Sequence, residues 1–125
     1  MNHLTRALVL LCAAFGALSC HSPSLTKVDV RAENQPPIPA QVSSSGITLT
    51  EGVGVAIQFT PYVDDKTSSD TLNIQNTSTA VMTPGSYGNE YFFVGGPPGT
   101  GKLGISDSSV DGWIEIPVTV VAQTP

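Results

Sequence analysis

The C-terminal part of the chain alternates apolar and polar residues with a period of two, which limits what it can fold into. One face of its last segment carries only branched apolar residues, Ile114, Ile116, Val118 and Val120. Pro117 lies on the opposite face and lacks an N–H, so we expect this strand to be an edge or to face solvent there. Short patterns of this kind, separated by turn residues, recur from Ile47 onward, and no segment after Cys20 has a useful helical period. About seven strands with turns every 8–12 residues or so predict a single all-β sandwich.

Apolar side chains on the inward strand faces form the predicted core. Each contributes about 1.5–3 kcal/mol when fully buried, which is enough gross burial for one small core. The predicted inward residues are Leu49, Val53, Val55, Ile57, Phe59, Leu72, Ile74, Val81, Phe92, Val94, Leu103, Ile105, Ile114, Ile116, Val118 and Val120.

The first 20 residues have the layout of a targeting segment. Arg6 precedes an uncharged stretch from Ala7 to Ser19, which is shorter than the roughly 20 apolar residues of a membrane-spanning helix. The stretch ends in Ala17-Leu18-Ser19-Cys20, which resembles a bacterial lipoprotein signal with its lipobox. The resemblance implies that Cys20 is acylated, becomes the N-terminus and holds the protein at a membrane through its lipid. An ordinary secretory signal cut elsewhere is the alternative.

The residue after the acylated cysteine bears on the destination. His21 stands there instead of Asp, which resembles an outer-membrane lipoprotein, with the leaflet left open. Cys12 would leave with the signal, so the mature domain would have no disulfide. The 10 acidic and 5 basic residues give a net charge of −5, which argues against nucleic-acid partners and against a basic membrane-binding patch.

The predicted organisation has three parts, a signal peptide at 1–19, a lipidated tether at 20–46 and the sandwich at 47–125. Residues 25–31 alternate like a half-buried strand, and whether they join the sandwich is left open. Pro-rich residues 35–39 and Ser-rich residues 43–46 favour extended and flexible backbone.

Several short motifs follow one another in an order that is similar to the bacterial Ig-like domain family, group 2 type. The similarity covers about residues 47–122 and implies the sandwich fold. Its motifs are Ile47-Thr48-Leu49-Thr50-Glu51-Gly52, Val55-Ala56-Ile57, Asn76 with Ala80-Val81, Gly99 to Ser106, and Ile116-Pro117-Val118-Thr119-Val120.

One segment imitates a nucleotide-binding loop. Gly96, Gly101 and Lys102 match the G-x-x-x-x-G-K part of a P-loop. Leu103, which follows the lysine, has no atom that could bind Mg²⁺, and strand and turn residues come next instead of a helix. We therefore expect a loop between two strands, with no nucleotide and no other cofactor.

The remaining candidate sites lie in loops. Asp64, Asp65 and Asp70 form one acidic group, and Asp107 and Asp111 form another. Such oxygen ligands suit Ca²⁺, but Asp is also an ordinary turn residue, so we predict solvated loops and no metal. An aromatic binding patch of Tyr87, Tyr91 and Trp113 competes with the simpler expectation that Tyr91 and Trp113 cover an outer face or edge.

No catalytic constellation is predicted, because the mature chain's histidine, His21, lies beside the anchor. The leading hypothesis is a non-enzymatic envelope or surface lipoprotein that contacts a protein or glycan through strand edges and loops 61–70, 84–89 and 95–101. The alternative is a scaffolding subunit of a larger envelope assembly. A third is a nucleotide-binding protein that uses Gly96 to Lys102.

Overall fold

The computed structural model of the protein describes residues 22–34, 40–84 and 88–124. The predicted signal peptide at 1–19, Cys20, His21 and Tyr87 therefore lie outside the described residues. Ten strands make up the described part, in which no helix occurs: β1 (Leu25–Ala32), β2 (Gln41–Ser43), β3 (Gly46–Thr50), β4 (Gly54–Val63), β5 (Lys66–Thr67), β6 (Asn73–Asn76), β7 (Ala80–Pro84), β8 (Glu90–Gly95), β9 (Gly99–Ser106) and β10 (Ile114–Val121).

The strands form two sheets that pack as a sandwich, which confirms the predicted fold class. The first sheet has the order β1-β4-β8-β7, with β5 paired to the end of β4, and the second has the order β2-β3-β10-β9-β6. Strands β3 and β10 pair in parallel, and the other pairs are antiparallel. Strands β2 and β5 have three and two residues, too few for a period to be visible in the sequence.

No helix in the described ranges is long and apolar enough to cross a membrane.

The core lies between the two sheets. It is formed by the side chains that alternate along each strand between the core and the outer face. Strand β4 has the longest such pattern, and its side chains Val55, Ile57 and Phe59 are all 0% exposed. Phe59 contacts the rings of Tyr91 and Phe93 edge-on, with centroid distances of 5.7 and 6.2 Å. Edge-to-face pairs of this kind add to the stabilisation from burial alone.

The segment 25–31, whose role the sequence left open, is part of the first sheet. Strand β1 pairs antiparallel with β4 from Leu25 to Ala32, so its partners run from Val63 back to Ile57. Leu25, Val28 and Val30 are buried in the core.

The predicted orientation of β8 is wrong. Phe93 is 1% exposed, whereas Phe92, predicted inward, is 42% exposed. The sequence could not fix this register because Tyr-Phe-Phe-Val has no polar residue to mark the outer face. Phe92 instead covers Gly54 on the neighbouring strand, where a Cβ would overlap the ring.

The predicted orientation of the neighbouring strand β7 is wrong as well. Val81 pairs with Val94, and Val81 is 58% exposed while Ala80 is buried. The other predicted core positions are buried except for Val53, Val94 and Ile114, which are half-buried.

Pro117 does not mark an edge strand, since β10 lies inside the second sheet between β3 and β9. Its side chain is exposed, as the alternative expectation required. The parallel pairing with β3 begins one residue later, at Val118, so the missing N–H of Pro117 precedes that ladder.

The corrected register predicts unequal costs for two adjacent substitutions. Phe93→Ala removes a buried ring and should lower the free energy of unfolding by about 3–5 kcal/mol. Phe92→Ala removes an exposed ring and should cost about 1 kcal/mol or less. Denaturant titration of both variants measures the difference, and equal losses would contradict the orientation of β8.

Candidate functional site

The strands run between two ends of the sandwich, and the loops that could make contacts are divided between them. The N-terminal pole, comprising residues 22–24, 64–72, 88–89 and 107–112, is marked by the pairs Leu25–Val63 and Ser24–Asp111. The C-terminal pole, comprising residues 50–53, 77–79, 96–98 and 122–124, is marked by the pairs Val120–Gly99 and Glu51–Gly95.

The three loop regions predicted to make contacts are not at one end. Residues 64–70 and 88–89 of the first two regions lie at the N-terminal pole, whereas 96–98 of the third lies at the C-terminal pole. A single binding surface cannot include all three, because β4, with ten residues at about 3.3 Å each, separates the poles by roughly 30 Å.

A polar side chain that the sequence did not single out organises the N-terminal pole. Asn89 is 7% exposed, and its Oδ1 accepts a hydrogen bond from the Leu72 N–H at 2.8 Å. Its Nδ2 donates to the carbonyl of Asp70, also at 2.8 Å. Asn89 therefore fixes the loop before β6 against the start of β8. In the sequence it resembles any other turn asparagine.

Asp107 is the second buried polar residue at this pole, at 4% exposure. Its Oδ1 accepts hydrogen bonds from the Ser109 N–H at 2.9 Å and from the Ser109 hydroxyl at 2.7 Å. Burial raises the pKa of Asp107, but the hydrogen bonds from the Ser109 hydroxyl and N–H hold the pKa below the ordinary value of 3.8. Its Oδ2 is buried and has no hydrogen-bond partner among the described residues.

Asp70 and Asp107, one from each predicted acidic group, come together. The Ser109 hydroxyl lies 3.2 Å from Oδ2 of Asp70, so the loops of Asp70 and Asp107 meet at this serine. Asp64 and Asp65 have left-handed φ values of 49° and 64° in the tight turn from β4 to β5, a conformation that Asp tolerates. Within the described ranges, no group of three or more acidic, histidine or cysteine side chains could hold a metal ion.

Loops of the N-terminal pole clamp the chain where it enters the domain. The N–H of Asp111 donates to the Pro23 carbonyl at 3.1 Å, and the N–H of Leu25 donates to the Asp111 carbonyl at 2.6 Å. On the other side, the Asp64 N–H donates to the Ser24 carbonyl at 3.0 Å, and the Ser24 N–H donates to Asp64 Oδ1 at 3.2 Å. The backbone is therefore fixed from Pro23 onward.

The P-loop-like segment has a structural role at the C-terminal pole. Strand β9 begins at Gly99, so Lys102 lies in a strand, and the expected loop between two strands is confined to residues 96–98. Lys102 Nζ lies 3.3 Å from Glu115 Oε2 on the adjacent strand β10. A Cβ at Gly96 or Gly101 would overlap backbone atoms of the 77–79 loop.

That loop is also hydrogen-bonded to the strand it covers. The N–H and the hydroxyl of Thr77 both donate to the Lys102 carbonyl at 3.0 Å. The spacing that resembles a phosphate-binding loop is thus explained by close backbone approach, which only glycine permits at these positions.

Tyr91 and Trp113, the two described residues of the predicted aromatic patch, do not share one surface. Trp113 is 52% exposed and covers Gly104 on the outer face of the second sheet, as expected for an outer-face aromatic. Tyr91 is half-buried instead, packs against Phe59, and donates its hydroxyl hydrogen to the Leu72 carbonyl at 3.3 Å. Burial raises the pKa of Tyr91. The expected outer-face position of Tyr91 is wrong, for the same register reason as Phe92.

No protein-family model matches the sequence, and no curated protein matches it either. Among solved structures, the fold is similar to domains of the surface layer protein SbsC. The structure of SbsC domains 1–6 matches with a TM-score of 0.55 and 21% identity over 82% of this chain and 14% of that chain. The crystal structure of the S-layer protein SbsC domains 4 and 5 matches with a TM-score of 0.51 and 18% identity, covering 80% of this chain and 54% of that one. At these identities the likeness shows the fold alone.

The structural role of the glycine-rich segment predicts that Gly101 contributes more to the stability of the domain than Lys102 does. Gly101→Ala should destabilise the domain by about 1–3 kcal/mol because its Cβ would overlap the Ser78 backbone. Lys102→Ala removes one exposed ion pair and should change stability by no more than about 0.5 kcal/mol. Denaturant midpoints test both values, and an ATP affinity that disappears in Lys102→Ala would contradict this assignment.

The lowered pKa of Asp107 predicts part of the acid sensitivity. A folded-state pKa below the unfolded value of about 3.9 gives stability that is present above that pH and is lost as the pH falls through the folded pKa. Asp107→Asn should lose less stability below about pH 4 than the parent protein. Part of the remaining acid-induced loss of stability should come from Asp29. The pKa of Asp29 is lowered mainly by its hydrogen bond from Tyr62 and next by Lys27.

Ser109→Ala is the matched variant for this measurement. It removes the hydroxyl donor but keeps the backbone N–H donor, so its acid-induced loss should lie between those of the parent and Asp107→Asn. Thermal unfolding followed from pH 7 to pH 2 gives all three curves, and superimposable curves would contradict the role of Asp107.

Proposed function

We propose that this chain is a lipid-anchored protein of the cell envelope or cell surface, whose Ig-like sandwich serves as a non-catalytic binding, adhesive or structural module. The observation that carries the proposal is Cys20, which directly follows the short uncharged stretch and Ala17-Leu18-Ser19. Acyl chains on Cys20 would supply the membrane attachment, and the outer membrane is the proposed destination because His21 follows the cysteine.

The polar contacts of the domain support a non-catalytic role. Asn89 and Asp107 hold loops in place, and Lys102 pairs with Glu115 across two strands. These groups stabilise the fold and are not arranged as a nucleophile with its base. The fold likeness to surface layer protein domains supports a surface or structural module.

The alternative is an accessory scaffolding subunit of a larger envelope assembly. It is supported by the size of the matched proteins, because this chain corresponds to only 14% of the SbsC chain in two of the structures. A domain of this fold therefore occurs there as one part of a larger chain. Recovery in a membrane complex of fixed stoichiometry would favour this alternative, whereas a monomer that binds a glycan or a protein would favour the first.

Acylation at Cys20 is tested by metabolic labelling with a palmitate analogue. The parent protein should incorporate label and begin at Cys20 in mass spectrometry, whereas Cys20→Ser should incorporate none. Cys12→Ser is the matched control, since Cys12 lies within the signal peptide and its removal should leave labelling unchanged. Labelling that survives Cys20→Ser, or an unlipidated parent protein, would refute the anchor. Protease digestion of intact cells then reports whether the domain faces outward.

A further inference from the structure

The clamp at the N-terminal pole determines how much free chain can connect the domain to an anchor. Four hydrogen bonds fix Pro23, Ser24 and Leu25 between the turn at Asp64 and the loop at Asp111. The chain from there continues directly into β1, which pairs with β4 along its length. Release of this segment would remove Leu25, Val28 and Val30 from the core, so it cannot serve as a flexible spacer.

Only His21 and Ser22 then lie between the anchored Cys20 and the clamped Pro23. The three extended Cα–Cα steps from Cys20 to Pro23 span at most about 10 Å. By contrast, a flexible tether through residue 46 would have a root-mean-square length of about 30 Å. The domain is therefore connected to its anchor much more tightly than the sequence alone suggested.

We propose that the N-terminal pole is the membrane-facing end of the domain and is held within about 10 Å of the lipid headgroups. This inference rests on the proposed acylation of Cys20. The loops at 64–72 and 107–112 then face the lipid surface, to which the short connection holds them. Protein or glycan partners would then reach the C-terminal pole and the upper parts of the sheet faces.

The two poles of the domain differ in charge, and the N-terminal pole is acidic. The described loops of the N-terminal pole carry five carboxylates and one cation, Lys66; the carboxylates belong to Asp64, Asp65, Asp70, Asp107 and Asp111. At physiological salt, charges interact over a Debye length of about 8–10 Å, which is comparable to the reach of this connection. Anionic headgroups should therefore repel these loops, so the short connection, and not charge attraction, keeps this pole near the bilayer.

The C-terminal pole is nearly uncharged. Among its described residues at 50–53, 77–79, 96–98 and 122–124, Glu51 is the one charged side chain. The rest are small, hydroxyl-bearing, proline or amide residues with one half-buried valine, Val53. This end would lie about 40 Å from the headgroups, given a sandwich roughly 30 Å long.

The orientation is tested with the full acylated protein reconstituted into vesicles of phosphatidylethanolamine and phosphatidylglycerol. A single cysteine for fluorescent labelling is introduced by Ser108→Cys at the N-terminal pole or by Gln123→Cys at the C-terminal pole; both positions are exposed. Cys20 would not compete for the label if its thiol is acylated. A short-range quencher attached to lipid headgroups should remove most of the fluorescence at position 108 and leave that at position 123 unchanged.

A flexible Gly/Ser linker of about 20 residues, inserted between Ser22 and Pro23, is the matched control. It keeps the anchor, the clamp and the fold, and it should abolish most of the quenching at position 108. Equal quenching at both positions, or none at either in protein that floats with the vesicles, would overturn the orientation. Protein that fails to float with the vesicles would instead refute the anchor, so the two failures are distinguishable.

Discussion

The fold depends on one layer of apolar side chains packed between two sheets. Strand β4 is central to it because its alternating residues Val55, Ile57 and Phe59 are fully buried while its backbone pairs with both β1 and β8. The two sheets also exchange contacts at both ends, through Ser24 with Asp111 and Glu51 with Gly95. Burial of this layer is the dominant favourable term in folding, and hydrogen bonds at the poles fix the loops around it.

Glycine shapes the surfaces outside this core. On the first sheet Phe92 covers Gly54, and on the second Trp113 covers Gly104, so each outer face has one aromatic ring lying on a strand glycine. Such a ring shields backbone that a strand glycine leaves bare. At the C-terminal pole, Gly96 and Gly101 allow the 77–79 loop to contact the strands directly. Segments that resemble functional motifs in sequence are therefore explained by the packing of neighbouring backbone.

The two poles have different chemistry because different loops meet at each. Asp70 and Asp107 are far apart in the sequence, yet both contact Ser109. The entry of the chain is held at this same pole, while β10 ends at the other. A domain whose chain enters at one pole can present that pole to an anchor and the other pole to its surroundings.

The sequence by itself determined the all-β class, most of the inward faces and the strand character that follows Lys102, and for 25–31 it indicated a strand-like period without a place in the fold. These follow from local period and turn chemistry, which each segment carries alone. Only the tertiary structure decided which of Phe92 and Phe93 is buried, because a continuous apolar run has no polar face and its register is set by Gly54 and β7. It also decided the roles of Asn89 and Ser109 and the clamp at Pro23, since their partners are distant in sequence and meet only when the two sheets close over the core.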